Sequence, residues 1–306
     1  MKSINNIFKK VCILAIVTSM AGCDMLDTKP YDFVAPETFY KNETDCTMAL
    51  AGVYWTMAAE HVYGNRYSCM LSNIDDLSYY YRQNQTSAVV ANSHNTGNTD
   101  LWYTWESLYS GINNANVLLD NIDGASISDE KVRARIKGEA KFLRAYYHFL
   151  LVRNYGPVIL VKEEPSLTTP ADQYAARSPY DECVDYVCQM FDEAAAELPA
   201  TRINENYGLA TSVAAKALKA RMLLYAASPL FNGNSEFYSS FVNKDGTALM
   251  PQAYSAEKWQ KAKVAYEEAI RAAEGAGHSL YTSTDYMLDG YDNAEPADPV
   301  QHRLRY

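Results

Sequence analysis

The residues best suited to binding a ligand lie in one polar stretch, residues 65–99, between two predicted helices. This stretch is too polar to form a core and too long to be a simple connection. Its adjacent tyrosines cannot all point inward, and an exposed tyrosine ring can stack on the C–H face of a sugar with about 0.5–1.5 kcal/mol. Neighbouring charged and amide side chains could form directional hydrogen bonds with sugar hydroxyls. The stretch leads to Trp102 at the start of the next predicted helix, and the predicted ligand-binding residues are Asp75, Tyr79, Tyr80, Tyr81, Arg82, Asn84 and Trp102.

A purely structural role for this stretch is the alternative interpretation, because tyrosine-rich loops often only pack on neighbouring helices. Trp105, Tyr109 and Trp259 fall on regular helical stripes, so we predict that they belong to the core. Glu139 and Arg144 are interpreted as polar contacts of the scaffold rather than as a catalytic pair.

No motif in the sequence indicates catalysis or metal binding. A glycoside hydrolase needs two carboxylates about 5–10 Å apart, and none of the 37 acidic residues belongs to a motif that singles out a pair. No GxSxG, P-loop or HExxH pattern occurs. The segment 120–124 lacks the alternating oxygen ligands of a calcium loop, so we interpret it as a helix end with Gly124 in a left-handed conformation. We predict no catalytic residue, no cofactor and no metal site.

The composition indicates a globular protein and argues against nucleic-acid binding. The chain has 306 residues, of which 48% are hydrophobic, and this content suffices for a large packed core. Its 27 Lys and Arg against 37 Asp and Glu give a net charge of −10, whereas a surface that tracks phosphates needs clustered cations. The 25 tyrosines are unusually many, and their polar tips suit wet contacts.

The first 22 residues have the pattern of a bacterial lipoprotein signal peptide. Lys2, Lys9 and Lys10 precede an apolar run over 11–20, which is too short to cross a hydrocarbon core of about 30 Å. Two small residues then lead to Cys23. This arrangement resembles a lipobox, although methionine stands where leucine is usual. The resemblance implies cleavage before Cys23 and lipidation of its sulfur, and several acyl chains would anchor the protein stably.

The other cysteines leave the disulfide state open. An exported protein can oxidise four cysteines in three possible pairings, and buried thiols fit the sequence at least as well. Cys183 and Cys188 lie about 140° apart around a helix, so we expect them to face different ways. The four cysteines are Cys46, Cys69, Cys183 and Cys188.

Apolar residues repeat at spacings of three and four along most of the chain, which predicts amphipathic helices. The clearest stripe runs from Leu101 to Ile122, and a second runs from Val132 to Leu150 after a Ser128 cap. The predicted fold class is therefore predominantly α. Further helices are predicted near 44–60, 180–198, 214–225 and 255–273.

Two helix pairs recur along the chain with nearly the same spacing. Residues 140–144 match 217–221 at an offset of 77, and residues 191–195 match 266–270 at an offset of 75. Small residues where two helices cross closely, and acidic residues next to alanine, resemble tetratricopeptide units. Each helix pair in such units exposes apolar faces that only a neighbouring helix pair can cover. This pattern predicts a tetratricopeptide-like helical-repeat scaffold, an α/α superhelix, with long irregular loops. The loops are expected at 158–177 and 230–254.

A set of short motifs follows Cys23 in order along the chain. They are LDTKP at 26–30, ALAGVY at 49–54, WESLY at 105–109, GEAKFLRAYY at 138–147 and ALKARMLLYAASP at 217–229. Together they resemble the SusD/RagB family of nutrient-binding lipoproteins. The resemblance implies a tetratricopeptide-like α scaffold on the outer-membrane surface that binds glycans or other nutrients and is not an enzyme. It also implies a protein partner, a SusC-like TonB-dependent transporter.

The resemblance divides the chain into a signal peptide at 1–22, a SusD-like α-helical domain at 23–290 and a polar tail at 291–306. Family members are longer, so we interpret the chain as the N-terminal portion of the family's length. The expected function is capture of oligosaccharide at the cell surface and its transfer to the transporter. Two alternatives remain, an α-helical glycoside hydrolase and a tetratricopeptide adaptor whose partner is only protein.

Overall fold

Helices account for nearly all regular structure in the computed structural model, which describes residues 39–60, 99–163, 170 and 175–280. Within these ranges the only β-type pairing consists of two isolated bridges. The predicted predominantly α fold class is therefore confirmed. The helices are α1 (Glu43–Glu60), α2 (Thr99–Asn121), α3 (Glu130–Tyr155), α4 (Tyr180–Glu197), α5 (Ser212–Ala227), α6 (Ser235–Tyr238) and α7 (Ala256–Gly275).

Side chains with oxygen acceptors fix the starts of two long helices. Asp129 caps α3, since its Oδ1 accepts a 2.8 Å hydrogen bond from the amide of Lys131. The predicted Ser128 cap is therefore wrong by one residue. A carboxylate at the cap also interacts favourably with the positive end of the helix dipole. Thr211 caps α5 in the same way, and its Oγ1 accepts from the amide of Ala214 at 3.1 Å.

The turn between α2 and α3 differs from the predicted left-handed helix end. Ile122–Gly124 form a 3-10 turn, and Gly124 is not among the residues with positive φ. The guanidinium of Arg133 donates to the carbonyl oxygens of Ile122, Ala125 and Ile127 at 2.6, 3.2 and 3.1 Å. Because the arginine satisfies these carbonyls, the helix end needs no left-handed residue.

The long helices form a consecutive stack within one compact unit that begins at Tyr40. Each of α1 to α4 packs against the next helix along the chain, α1 also contacts α3, and α7 packs on α5. Helix α3 lies at the centre, with 14 of its 26 residues buried. Leu143 on the predicted stripe is fully buried. This packing follows the prediction that neighbouring helix pairs cover each other's apolar faces.

Small residues bring neighbouring helices close together. A Cβ at Gly138 on α3 would lie 2.9 Å from the Cβ of Glu197 and 3.1 Å from Leu198 Cγ, a separation that only glycine permits. Helix α7 packs on Ala220 of α5 through Ala265 and Ala269. These two alanines and Ala262 are its buried residues within the described range.

One aromatic residue predicted for the core is exposed. Trp259 on α7 has 41% of its surface in solvent, because the buried face of α7 is centred on its alanines and the indole lies at the margin. The prediction for Trp259 is therefore wrong. Trp105 and Tyr109 are half-buried and pack against the main core, as predicted. None of the described helices is long and apolar enough to cross a membrane.

Candidate functional site

The predicted ligand-binding residues are not brought together by the described structure. Asp75, Asn84 and the intervening residues 79–82 lie outside the described ranges. Trp102 belongs to α2, but its side chain also lies outside the description, as does the predicted lipidation site Cys23. The ligand site and the lipid anchor therefore stay predictions.

The two helices that border residues 61–98 are closely packed. Helix α1 ends at Glu60 and α2 begins at Thr99, and the two helices contact each other. A Cβ at Gly111 on α2 would lie 2.8 Å from the Cγ2 of Thr56 and 2.8 Å from a ring carbon of Tyr147. Glycine at this position therefore allows the close approach of α1 and α2, the helices that precede and follow the predicted ligand segment.

Glu139 lies at the centre of a buried polar network. Its carboxylate is fully buried and accepts hydrogen bonds from Tyr54, Arg135 and Arg202. All three partners belong to the scaffold, which confirms the prediction that Glu139 makes structural contacts. The two arginines neutralise the charge that burial would otherwise penalise.

Arg144 anchors the irregular segment that follows α3. Its Nη1 donates to Asn116 Oδ1 at 2.8 Å and to the carbonyl of Lys162 at 3.2 Å. Asn116 in turn donates from Nδ2 to the carbonyl of Glu163 at 3.1 Å. These contacts hold residues 161–163 against α2 and α3, so Arg144 also has the scaffold role that the sequence predicts.

A cluster of aromatic rings fixes the start of the same segment. The Trp105 ring lies 5.0 Å from the ring centroids of Tyr109 and Tyr155, and the Arg177 guanidinium lies 5.4 Å from the Trp105 ring. The hydroxyl of Tyr109 donates to the carbonyl of Ile159 at 2.8 Å. Burial raises the Tyr109 pKa to about 12, so its hydroxyl stays protonated and keeps this bond at ordinary pH.

Trp55 is an exposed aromatic residue that the sequence reasoning did not single out. It lies on α1, five residues before the helix ends, and 76% of its surface is exposed. Met48 lies seven residues earlier and is 53% exposed, whereas Leu50 and Val53 are buried. The buried Leu50 and Val53 define the core face of α1. Their spacing in the sequence could have shown that Trp55 lies off that face.

A groove of about 710 Å³ lies between α4, α5 and α7, and charged side chains form much of its lining. Five acidic residues and two lysines line it, and Lys219 pairs with Asp192 at 2.6 Å. Its lining, all within the described residues, includes no aromatic ring on which a sugar could stack. Within the same part of the chain, no group of three or more His, Cys, Asp and Glu side chains could hold a metal ion.

Three of the four cysteines lie within the described ranges, and all three are buried thiols without a disulfide. They are Cys46, Cys183 and Cys188. Burial raises the pKa of Cys183 to about 11 and that of Cys188 to about 12. Both thiols are therefore protonated at neutral pH and unreactive as nucleophiles.

Comparison with known proteins gives one family. The model of a SusD-like family, described as "Starch-binding associating with outer membrane", matches residues 24–224, which is well over half of the chain. Among curated proteins, SusD-like protein P25 of Formosa agariphila is 27% identical over 217 residues, which cover 68% of this chain and 41% of that protein. The chain thus spans about two fifths of the length of this curated relative.

Solved structures agree with the sequence comparison. A structure named "BT4246" is 30% identical with a TM-score of 0.71, and the match covers 83% of this chain and 45% of that one. A structure named "Laminarin binding SusD-like protein" is 26% identical with a TM-score of 0.55, and it covers 61% of this chain and 41% of that one. These likenesses confirm the tetratricopeptide-like helical fold.

Proposed function

The chain belongs to the SusD-like family, and on that premise we propose that the protein binds oligosaccharide at the bacterial cell surface and passes it to a TonB-dependent transporter. The observation that carries this proposal is the family match over residues 24–224. The match includes the whole segment in which the sequence predicts the ligand site.

Glucans are the ligand class to test first. The description of the family names starch, and one of the similar solved proteins is named for binding laminarin. Both polysaccharides are polymers of glucose, whose rings present C–H faces to aromatic side chains and whose hydroxyls accept and donate hydrogen bonds.

The predicted binding surface is the segment 65–99 with its three consecutive tyrosines. It leaves α1 and returns to α2, the two helices that Gly111 allows to pack closely. The exposed ring of Trp55, near the end of α1, is an additional candidate for stacking on a sugar. A ring already exposed requires no rearrangement of the core before it contacts a ligand.

The proposed place of the protein is the outer face of the outer membrane, anchored through lipid on Cys23. The family description associates its members with the outer membrane, and the lipobox-like pattern supplies the attachment site. The proposed partner is a SusC-like transporter, for which the protein would deliver ligand. No catalytic role is proposed, because no motif in the sequence singles out a pair of carboxylates and the buried carboxylate of Glu139 is held by Tyr54 and Arg202 of the scaffold.

Affinity electrophoresis against a polysaccharide panel tests the proposal. Purified protein should be retarded by at least one glucan, and the reducing ends of that glucan should not increase during incubation. An increase in reducing ends would support a glycoside hydrolase instead. Absence of retardation in every gel would contradict carbohydrate binding and favour a protein adaptor.

A further inference from the structure

Two pairs of side chains face each other where α3 packs on α4. Arg144 and His148 are one turn apart on α3, and Tyr186 and Met190 are one turn apart on α4. Arg144 Nη2 lies 2.9 Å from Met190 Sδ. The rings of His148 and Tyr186 meet edge to face with their centroids 5.2 Å apart. We refer to these four residues as the α3–α4 cluster.

Three polar atoms of the α3–α4 cluster have no hydrogen-bond partner among the described residues. They are Arg144 Nε, His148 Nε2 and the hydroxyl oxygen of Tyr186, and each is shielded from solvent. The ring of His148 contacts that of Tyr186, and the guanidinium of Arg144 contacts Met190, one turn along α4 from Tyr186, so the three groups lie in one neighbourhood. Buried polar atoms almost always have a partner, either a protein group or an ordered water.

The hydrogen-bond roles of these atoms restrict what can fill the neighbourhood. His148 Nδ1 lies 2.9 Å from the carbonyl oxygen of Arg144, which can only accept, so Nδ1 carries the proton and Nε2 presents a lone pair. Burial lowers the pKa of His148 to about 4, so the ring is neutral at physiological pH. Arg144 Nε can only donate, while the Tyr186 hydroxyl can do either. The ligand must therefore both accept and donate.

We propose that the α3–α4 cluster binds one ordered internal water molecule. The water accepts from Arg144 Nε and donates to His148 Nε2, and it exchanges a further bond with the Tyr186 hydroxyl. A simple anion cannot donate to the histidine lone pair, and a metal cation is repelled by the arginine. Water satisfies all three groups with its two donors and two acceptors.

The water would join α3 to α4 beneath the segment 161–163. The carbonyl of Lys162 accepts from Arg144 Nη1 at 3.2 Å, and the ammonium of Lys162 lies 5.6 Å from the Tyr186 ring. The proposed water is thus covered by a residue that the same arginine holds in place. A water enclosed in this way exchanges slowly with the solvent, which makes it countable in solution.

A high-resolution crystal structure of the whole chain tests the proposal directly. We expect density for a single water within hydrogen-bond distance of Arg144 Nε and His148 Nε2. A dry contact at this place, or a side chain of the protein bonded to these atoms, would overturn the proposal.

Oxygen-17 magnetic relaxation dispersion gives an independent count of long-lived internal waters. A variant that combines His148→Phe with Tyr186→Phe should lose one such water relative to the wild type. The matched control is Tyr109→Phe, because the Tyr109 hydroxyl bonds directly to Ile159 and needs no water; its count should equal that of the wild type. An unchanged count in the folded double variant would overturn the proposal, and if that variant does not fold, the wild-type density decides.

Discussion

Tyr54 on α1 donates a 2.8 Å hydrogen bond to Oε2 of Glu139 on α3. The same hydroxyl accepts from the amide of Ala210 at 3.1 Å. The other carboxylate oxygen of Glu139 accepts from Arg135 at 3.0 Å and from Arg202 at 2.8 Å. One buried carboxylate therefore connects α1, α3 and the loop before α5, and α1 is one of the two helices that border the predicted ligand segment.

Replacing Glu139 by alanine should destabilise the protein strongly. The change leaves the hydroxyl of Tyr54 and the guanidinium of Arg202 buried without their acceptor, and removing one partner of a buried ion pair costs about 3–5 kcal/mol. Urea unfolding followed by circular dichroism measures this loss as a lower midpoint.

The matched control is Glu130→Ala on the same helix. Glu130 also pairs with an arginine, Arg133 at 3.2 Å, but 78% of its side chain is exposed, so its loss should cost less than about 1 kcal/mol. If both variants unfold at the same urea concentration, the Glu139 network does not stabilise the fold.

Leu143 should tolerate neither a smaller side chain nor a charge. It is fully buried on α3, so Leu143→Ala should cost about 2–5 kcal/mol through lost burial and a cavity. Leu143→Asp should unfold the protein or make it insoluble, because the charge would be buried without a partner. Thermal melting compares these variants with Leu224→Ala, whose leucine is 39% exposed; equal melting temperatures for Leu143→Ala and Leu224→Ala would show that α3 is not central.

Because of His148, the free energy of unfolding should decrease as the pH is lowered from about 6.5 to about 4. Burial lowers its pKa from 6.5 to about 4 in the folded state, so the unfolded chain binds a proton over this window that the folded protein does not. The free energy of unfolding should therefore decrease by about 3 kcal/mol across the window because of this residue.

Urea unfolding at several pH values measures this contribution as the difference between the wild type and His148→Phe. The variant lacks the titrating group, so its stability should fall less steeply between pH 6.5 and 4. Parallel curves for the two proteins would mean that His148 titrates normally in the folded state.

The helical scaffold was predictable because its apolar spacing is regular. The stripe from Val132 to Leu150 predicted α3, and the structure buries its members Ile136, Leu143 and Leu150. Two predictions about helix ends were wrong for local reasons. Asp129 rather than Ser128 caps α3, and Arg133 satisfies the carbonyls that a left-handed Gly124 was expected to accommodate.

Exposure was harder to predict than helicity. An apolar stripe gives the direction of the buried face of a helix but not its width. Trp259 was therefore predicted to be buried, whereas the buried residues of α7 are alanines. No apolar stripe was assigned to the helix predicted near 44–60, so the exposure of Trp55, which lies off the buried face of Leu50 and Val53, was not predicted. The segment 65–99 has no helical period, so its side-chain directions could not be derived from the sequence.

Cys23 should carry the lipid anchor. In cells grown with a clickable fatty acid, the wild-type protein should be labelled and appear in the outer-membrane fraction, because the acyl chains on Cys23 hold it there. Cys23→Ala should lose the label. Label retained at the wild-type level by Cys23→Ala would exclude this residue as the attachment site.

The most direct test of the proposed function is the affinity of the tyrosine variant for the glucan that retards the wild type. Replacing Tyr79, Tyr80 and Tyr81 together by alanine should remove one or two stacking contacts of about 0.5–1.5 kcal/mol each, so affinity should fall roughly two- to a hundredfold. The control is Tyr207→Ala, an 84% exposed tyrosine in the loop before α5, which should bind like the wild type. Unchanged affinity of the triple variant, with an intact circular-dichroism spectrum, would contradict the assignment of the sugar site to this segment.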